Sequence, residues 1–197
     1  MPNHEDNHVV VIGKVENIRR FIAEAFVHPG QPFEPASVEF TDVNEKDFPV
    51  LNFNLILPQP ENIERGGCGG GAVAGVHMDT GEVCWYTWNN DHWGTKWGAY
   101  NHEHFNERYL MDSGNGVYGR VDLRFQTAWS QPTPVLEAIQ DRWDLVVHAV
   151  TQDEGGFPDT VFGSPYDEEV IRKITNFDFE VWDQQVAPPA EVSTDGN

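Results

Sequence analysis

The stretch VYGRVDLRFQTAWSQPTPVLEAIQDRWDLVVHAVTQ, residues 117–152, decides the fold class. Its first part, 117–127, alternates apolar and polar residues, the period-two pattern of a strand with one face buried. Pro132 and Pro134 then break the extended run, and VLEAIQDRW, 135–143, follows with Pro134 near a helix's first turn. DLVVHAVTQ, 144–152, returns to strand character. Strand, helix and strand thus follow one another within one short segment.

The same order opens the chain. HVVVI, 8–12, predicts a strand that ends at Gly13. In VENIRRFIAEAF, 15–26, Val15, Ile18, Phe21, Ile22, Ala25 and Phe26 recur at helical spacing, and His28, Pro29 and Gly30 stop the helix. Between the two units, VLNFNLILP at 50–58 alternates around Phe53, Leu55 and Leu57 and reads as a third strand. SVEF, 37–40, suits an edge strand, and TNFDFEVWD, 175–183, a final one. EVCWYTW, 82–88, is ambiguous between helix and strand, and the Gly-rich segment 64–81 reads as a flexible insertion. The expected plan is an α+β domain over 1–185 with a split βαβ order, helices on one face of a mostly antiparallel sheet, an irregular Trp-rich insertion, and a frayed tail at 186–197.

Composition supports a packed domain. The 197 residues include seven Trp and twelve Phe, large apolar surfaces that a core can bury. Charge is lopsided: 12 Lys plus Arg stand against 32 Asp plus Glu, a net charge of -20. Such a surface repels phosphate backbones, so direct nucleic-acid binding is not expected. It attracts basic partners instead. The N-terminal MPNHEDNH has neither a basic nor an apolar signal region, and no apolar run reaches membrane-spanning length. With only Cys68 and Cys84, and no CxxC spacing, a reduced, cytoplasmic setting is the expectation.

Four pieces, FNLILPQP (53–60), HWGTKWGAY (92–100), FQTAWSQPTPVLEAI (125–139) and DEGGFPDTVFG (153–163), occur in an order that resembles the YubB-like (Api-type) ferredoxin-like family of phages and plasmids. The resemblance spans roughly 8–182. It departs from the family pattern in the Gly-rich segment 64–81 and in the acidic, His-bearing stretch 101–116. It implies a ferredoxin-like fold and a mobile-element origin, hence the cytoplasm of a host cell. It supplies no catalytic residues.

The chemistry-bearing residues cluster in two places. Trp88, Trp93, Thr95, Lys96, Trp97, Thr127 and Trp129 offer an aromatic wall beside a cation, suited to stacking on a nucleotide or another small ligand. The competing reading is structural, with the Trp rings closing the sheet edge and Lys96 snorkelling past them. His92, His102, His104 and Glu107 offer a metal site, because an HxH pair on a strand projects both imidazoles to one face. No GxSxG elbow surrounds Ser130, and GGCGGG lacks the Lys-Ser/Thr of a phosphate loop.

Three functions compete. The leading expectation is a non-catalytic binding protein that docks on a host protein, basic or nucleic-acid-binding, as an acidic decoy or anti-defence factor. The second is a nucleotide or small-ligand domain using the WGTKW and TAWS surfaces. The third is a metal-dependent enzyme at His102, His104 and Glu107. No catalytic residue and no cofactor is assigned.

Overall fold

The computed structural model describes residues 3–33, 42–43, 47–64, 72–73, 76–77, 81–112, 116–155 and 159–163. Strand β1 (His4–Lys14) runs directly into helix α1 (Val15–Ala25). β1 begins four residues earlier than its apolar core suggests. The reason is pairing: it lies between two partners, so the polar segment from His4 to His8 is held extended by ladder hydrogen bonds. Helix α1 buries Val15, Ile18, Phe21, Ile22 and Ala25, as its spacing requires.

Short strands β2 (Phe26–Val27), β3 (Pro32–Phe33), β4 (Asp42–Val43) and β5 (Val50–Leu51) follow; β2 pairs with β5, and β3 with β4. The strand expected over 50–58 is not formed beyond Leu51. The Asn52 side chain accepts from the Asn54 backbone N–H at 2.9 Å and caps a one-turn helix, α2 (Phe53–Ile56). Phe53 and Ile56 are buried three residues apart while Leu55 is exposed, so a helical period replaces the alternation.

Strands β6 (Ile63–Glu64), β7 (Ala72–Val73), β8 (Val76–His77) and β9 (Val83–Cys84) form a small sheet of order β6-β9-β8-β7, with β6 and β9 parallel. Cys84 is buried and disulfide-bonded, in contrast to the reduced state expected from two scattered cysteines. Sequence spacing carries no information on the distance between thiols, which is what permits a disulfide. Helix α3 (Trp85–His92) resolves the ambiguous EVCWYTW segment. The rest of the Gly-rich insertion, the expected strands at 37–40 and 175–183, and the tail at 186–197 lie outside the described residues.

The main sheet is completed by β10 (Tyr100–Asp112), β11 (Gly116–Ala128), β12 (Val146–Asp153) and β13 (Thr160–Phe162), with α4 (Thr133–Trp143) between β11 and β12. Its order is β10-β11-β1-β12-β13, with every neighbouring pair antiparallel. The chain is therefore an α+β protein with a mostly antiparallel sheet. No helix among the described residues is long and apolar enough to cross a membrane.

One face of this sheet carries the core. Val9 stands opposite Leu123 and Ala149, and Val11 opposite Val121 and Val147. All six pack in one cluster with Ile18, Phe21, Phe53, Leu136, Ile139 and Trp143 from α1, α2 and α4. Burying such a side chain contributes about 1.5–3 kcal/mol. Gly119 lets α1 approach: a Cβ there would stand 3.1 Å from the Ile18 side chain. The opposite face presents His8, Arg124 and Gln152 to solvent, with Val10, Arg120 and His148 half-buried.

Candidate binding surface at the end of the sheet

Residues 93–99 connect α3 to β10 and are tied down at both ends. Trp93 is 0% exposed; its indole Nε1–H donates to the Leu57 carbonyl at 2.9 Å, and its ring meets Phe53 and Trp88 edge-on. Buried Asn89 organises the turn. Its amide donates to the Lys96 carbonyl at 2.9 Å and accepts from Gln59 Nε2 at 2.6 Å. Gly94 sits at φ +75°, and a Cβ there would lie 2.9 Å from Pro134 Cδ, so this position requires glycine on two counts.

The loop is bound to the end of β11. The Lys96 backbone N–H donates to the Ala128 carbonyl at 3.3 Å, and the Ser130 hydroxyl donates to the Gly94 carbonyl. Thr95 is buried and donates to the Trp97 carbonyl at 2.5 Å. Thr127 is buried too. Its hydroxyl donates to the Ser130 carbonyl at 2.8 Å and accepts from Asn7 Nδ2 at 2.9 Å. Asn7 accepts from the Thr151 hydroxyl at 2.8 Å, which in turn accepts from Gln131 Nε2 at 2.8 Å. A satisfied polar network of this kind fixes one geometry.

Of the seven residues expected to hold a ligand, Trp93, Thr95, Trp97 and Thr127 are thus buried structural groups. Trp88 is half-buried and stacked on His92 with ring centroids 4.3 Å apart. Lys96 is half-buried and Trp129 is exposed. Lys96 Nζ stands 4.6 Å from the Trp97 ring centroid and 5.0 Å from that of Trp129, within cation–π range. Tyr86, which the ambiguous reading of 82–88 did not single out, joins them, with its ring 5.8 Å from Trp129 and edge-on.

Trp129 is the exceptional member. It is 42% exposed, and its φ is +79°, a region that bulky L-residues avoid. Such a backbone costs on the order of 1–3 kcal/mol and persists only where neighbours impose it. Here buried Ala128 precedes it, the Trp129 N–H donates to the Asn3 carbonyl at 3.0 Å, and Ser130 is held by Gly94. Tyr86, 39% exposed, extends the aromatic surface.

An acidic cluster lies beneath the same end. Glu5 is buried, and burial pushes its carboxyl up to about 7, helped by a hydrogen bond to Asp153 and by the charges of Asp153, Asp6 and Glu154. The Tyr100 hydroxyl is pushed above its ordinary range by burial and by the charges of Glu154, Asp6 and Glu5. It donates to the Thr127 carbonyl at 3.0 Å and lies 2.6 Å from His4 Nδ1.

The expected metal ligands are not brought together. His92 sits on α3, with its Nδ1 bonded to the Trp88 carbonyl at 2.9 Å. His102 is buried with its ring 5.8 Å from that of core Phe125, whereas His104 is exposed and opposite Arg124. Glu107 lies opposite core Val121, and burial raises its carboxyl pKa, partly offset by Arg19. The register of β10 shifts between Tyr100 and His104, with Asn101 at φ +47°, so the HxH pair does not follow regular alternation. Among the described residues no group of three His, Cys, Asp or Glu could hold a metal ion.

No family model, no curated protein and no solved structure matches this chain.

Proposed function

We propose that the chain is a non-catalytic binding protein that engages a partner protein through Trp129, Tyr86 and Lys96. The observation that carries the reading is Trp129, whose ring is held outward at φ +79° with 42% of its surface exposed. Trp and Tyr dominate the energetic centres of protein interfaces because each buries a large, rigid area at low entropic cost. The net charge of -20 favours a basic partner by accelerating encounter. A host protein that handles nucleic acid is the corresponding partner class, with the acidic surface standing in for DNA.

The fold reading that accompanies this proposal is the ferredoxin-like split βαβ plan of the YubB-like group. Its support is strand order: β11 and β12 flank β1, both antiparallel to it, and α4 connects them. The expected second strand, 50–58, is replaced in that role by β10.

The test is affinity capture from host lysate with the wild-type chain, Trp129→Ala and Val161→Ala, at low and high salt. Val161, 55% exposed, serves as the apolar control. A basic protein retained by wild type and Val161→Ala but lost with Trp129→Ala, and weakened by salt, supports the reading. Equal retention by all three chains rejects it. A second reading, stacking of a nucleotide on Trp129, draws on Lys96 Nζ at 5.0 Å from the ring. Nucleotide-dependent fluorescence quenching absent from Trp129→Ala would favour it.

A further inference from the structure

The face of the sheet opposite the core carries a feature that the partner-binding reading does not use. Three side chains capable of positive charge stand in one row across three adjacent strands. Arg124 on β11 has His104 of β10 as its partner on one side and His8 of β1 on the other. Directly paired side chains have Cβ atoms roughly 4.5–5.5 Å apart, and like charges placed so are destabilising. All three residues are exposed.

Among the described residues, the row has no direct ion-pair partner, although the chain is rich in carboxylates. Asp122, two residues before Arg124 and on the same face, is taken by Arg120 in a two-pronged pair at 2.8 and 2.5 Å. Among the described residues, the side chains of Arg124, His8 and His104 make neither an ion pair nor a hydrogen bond. The His8 imidazole is held below its ordinary range by partial desolvation and by Arg124, with Arg120 and His104 adding to this and Asp122 opposing it. The other titratable groups on this face near His8 are Asp6 on its own strand, Glu103 on β10 and His148 on β12.

A groove of about 540 Å³ runs beside the row. Arg124 and His8 are on its wall with Asp6, Gln126, Gln152 and Glu103, and a neighbouring hollow of about 410 Å³ adds His104. The amides and carboxylates suit hydroxyl groups, which both donate and accept. Gln126 links Asp6 to Asn101: its Nε2–H donates to Asp6 at 2.7 Å, and its Oε1 accepts from Asn101 at 2.8 Å. The one aromatic on the wall, Phe125, has its ring in the core, so the groove offers no stacking platform. With carboxylates at Asp6 and Glu103, the groove also disfavours a polyanion.

We infer that this groove binds a small monophosphate ester of a polyhydroxylated compound, of the sugar-phosphate class, with the phosphate on Arg124, His8 and His104 and the hydroxyls toward Asp6, Gln126 and Gln152. Arg supplies a planar fork that matches phosphate geometry. A phosphate beside Arg124 favours the protonated form of His8 that desolvation and Arg124 disfavour in the free chain, so complex formation takes up a proton. Affinity then rises as pH falls from 8 to 6.

The test is calorimetric titration of the full chain with ribose 5-phosphate, ribose and inorganic phosphate at pH 6 and pH 8. Ribose 5-phosphate is expected to bind more tightly than either fragment at both pH values, and about tenfold more tightly at pH 6 than at pH 8. Arg124→Gln is expected to weaken it by about tenfold or more, the worth of one charged hydrogen-bonding group. Arg20→Gln, on the exposed side of α1, serves as a folded control and leaves binding intact. His8→Gln flattens the pH dependence, and Trp129→Ala leaves the titration unchanged, which separates this site from the partner surface. Absence of binding up to millimolar ligand, binding indifferent to Arg124→Gln, or ribose 5-phosphate binding no tighter than inorganic phosphate would each overturn the inference.

Discussion

Replacing Glu5 by Gln removes a buried ionisation while keeping the size of the side chain. Glu5 lies in β1 between Thr127 and Asp153, hydrogen-bonded to Asp153. Its carboxyl titrates at about 7 in the folded chain against an ordinary 4.5. The folded state thus holds the proton more tightly than the unfolded state. The favourable contribution is complete below pH 4.5 and is lost as pH rises toward 7. At about 1.4 kcal/mol for each pH interval of one, the loss amounts to about 3 kcal/mol. A Gln amide donates to Asp153 as the protonated carboxyl does, and it cannot ionise. Glu5→Gln should therefore match wild type near pH 4 and exceed it above pH 7. For a domain of this length, about 3 kcal/mol corresponds to a Tm gain of roughly 6–12 °C. Thermal melts followed by circular dichroism across pH 4–8 read both curves. Parallel curves with a constant offset would refute the assignment of the pH dependence to Glu5.

Other perturbations probe the loop that supports the surface. Gly94→Ala meets both a positive φ and the Pro134 ring, and should destabilise by about 2–4 kcal/mol in urea unfolding. Trp93→Phe keeps an aromatic ring but leaves the Leu57 carbonyl without its donor; a loss of about 1–3 kcal/mol in the same assay is expected. Trp129→Gly should move the other way, gaining about 1–2 kcal/mol because glycine adopts φ +79° without strain, while losing partner retention.

Parts of this structure were legible because local pattern and tertiary role agree. The β1–α1 and β11–α4–β12 units have regular apolar periods, and both are found. Strand β10 was missed because NHEHFNE offers polar residues on both faces; its order comes from pairing with β11. The 50–58 segment was misread because the Asn52 cap outweighs an apparent alternation. Within the site, Lys96 and Trp129 could be named from the density of Trp around a lysine, yet which Trp faces solvent depends on backbone conformation at a single residue. Tyr86 had no signal beyond its aromatic neighbours. The His102/His104 pair failed because a strand irregularity is invisible to a two-residue period. The row His104–Arg124–His8 brings His8 beside residues distant in sequence and exists only through strand register.

The most direct test of the partner surface is photo-crosslinking from p-benzoylphenylalanine substituted for Trp129, with the same group substituted for Val161 as the control, in a cell lysate. The account expects one discrete protein adduct from position 129, on a basic protein, that is absent from position 161. No adduct from position 129, or the same adducts from both positions, would contradict it.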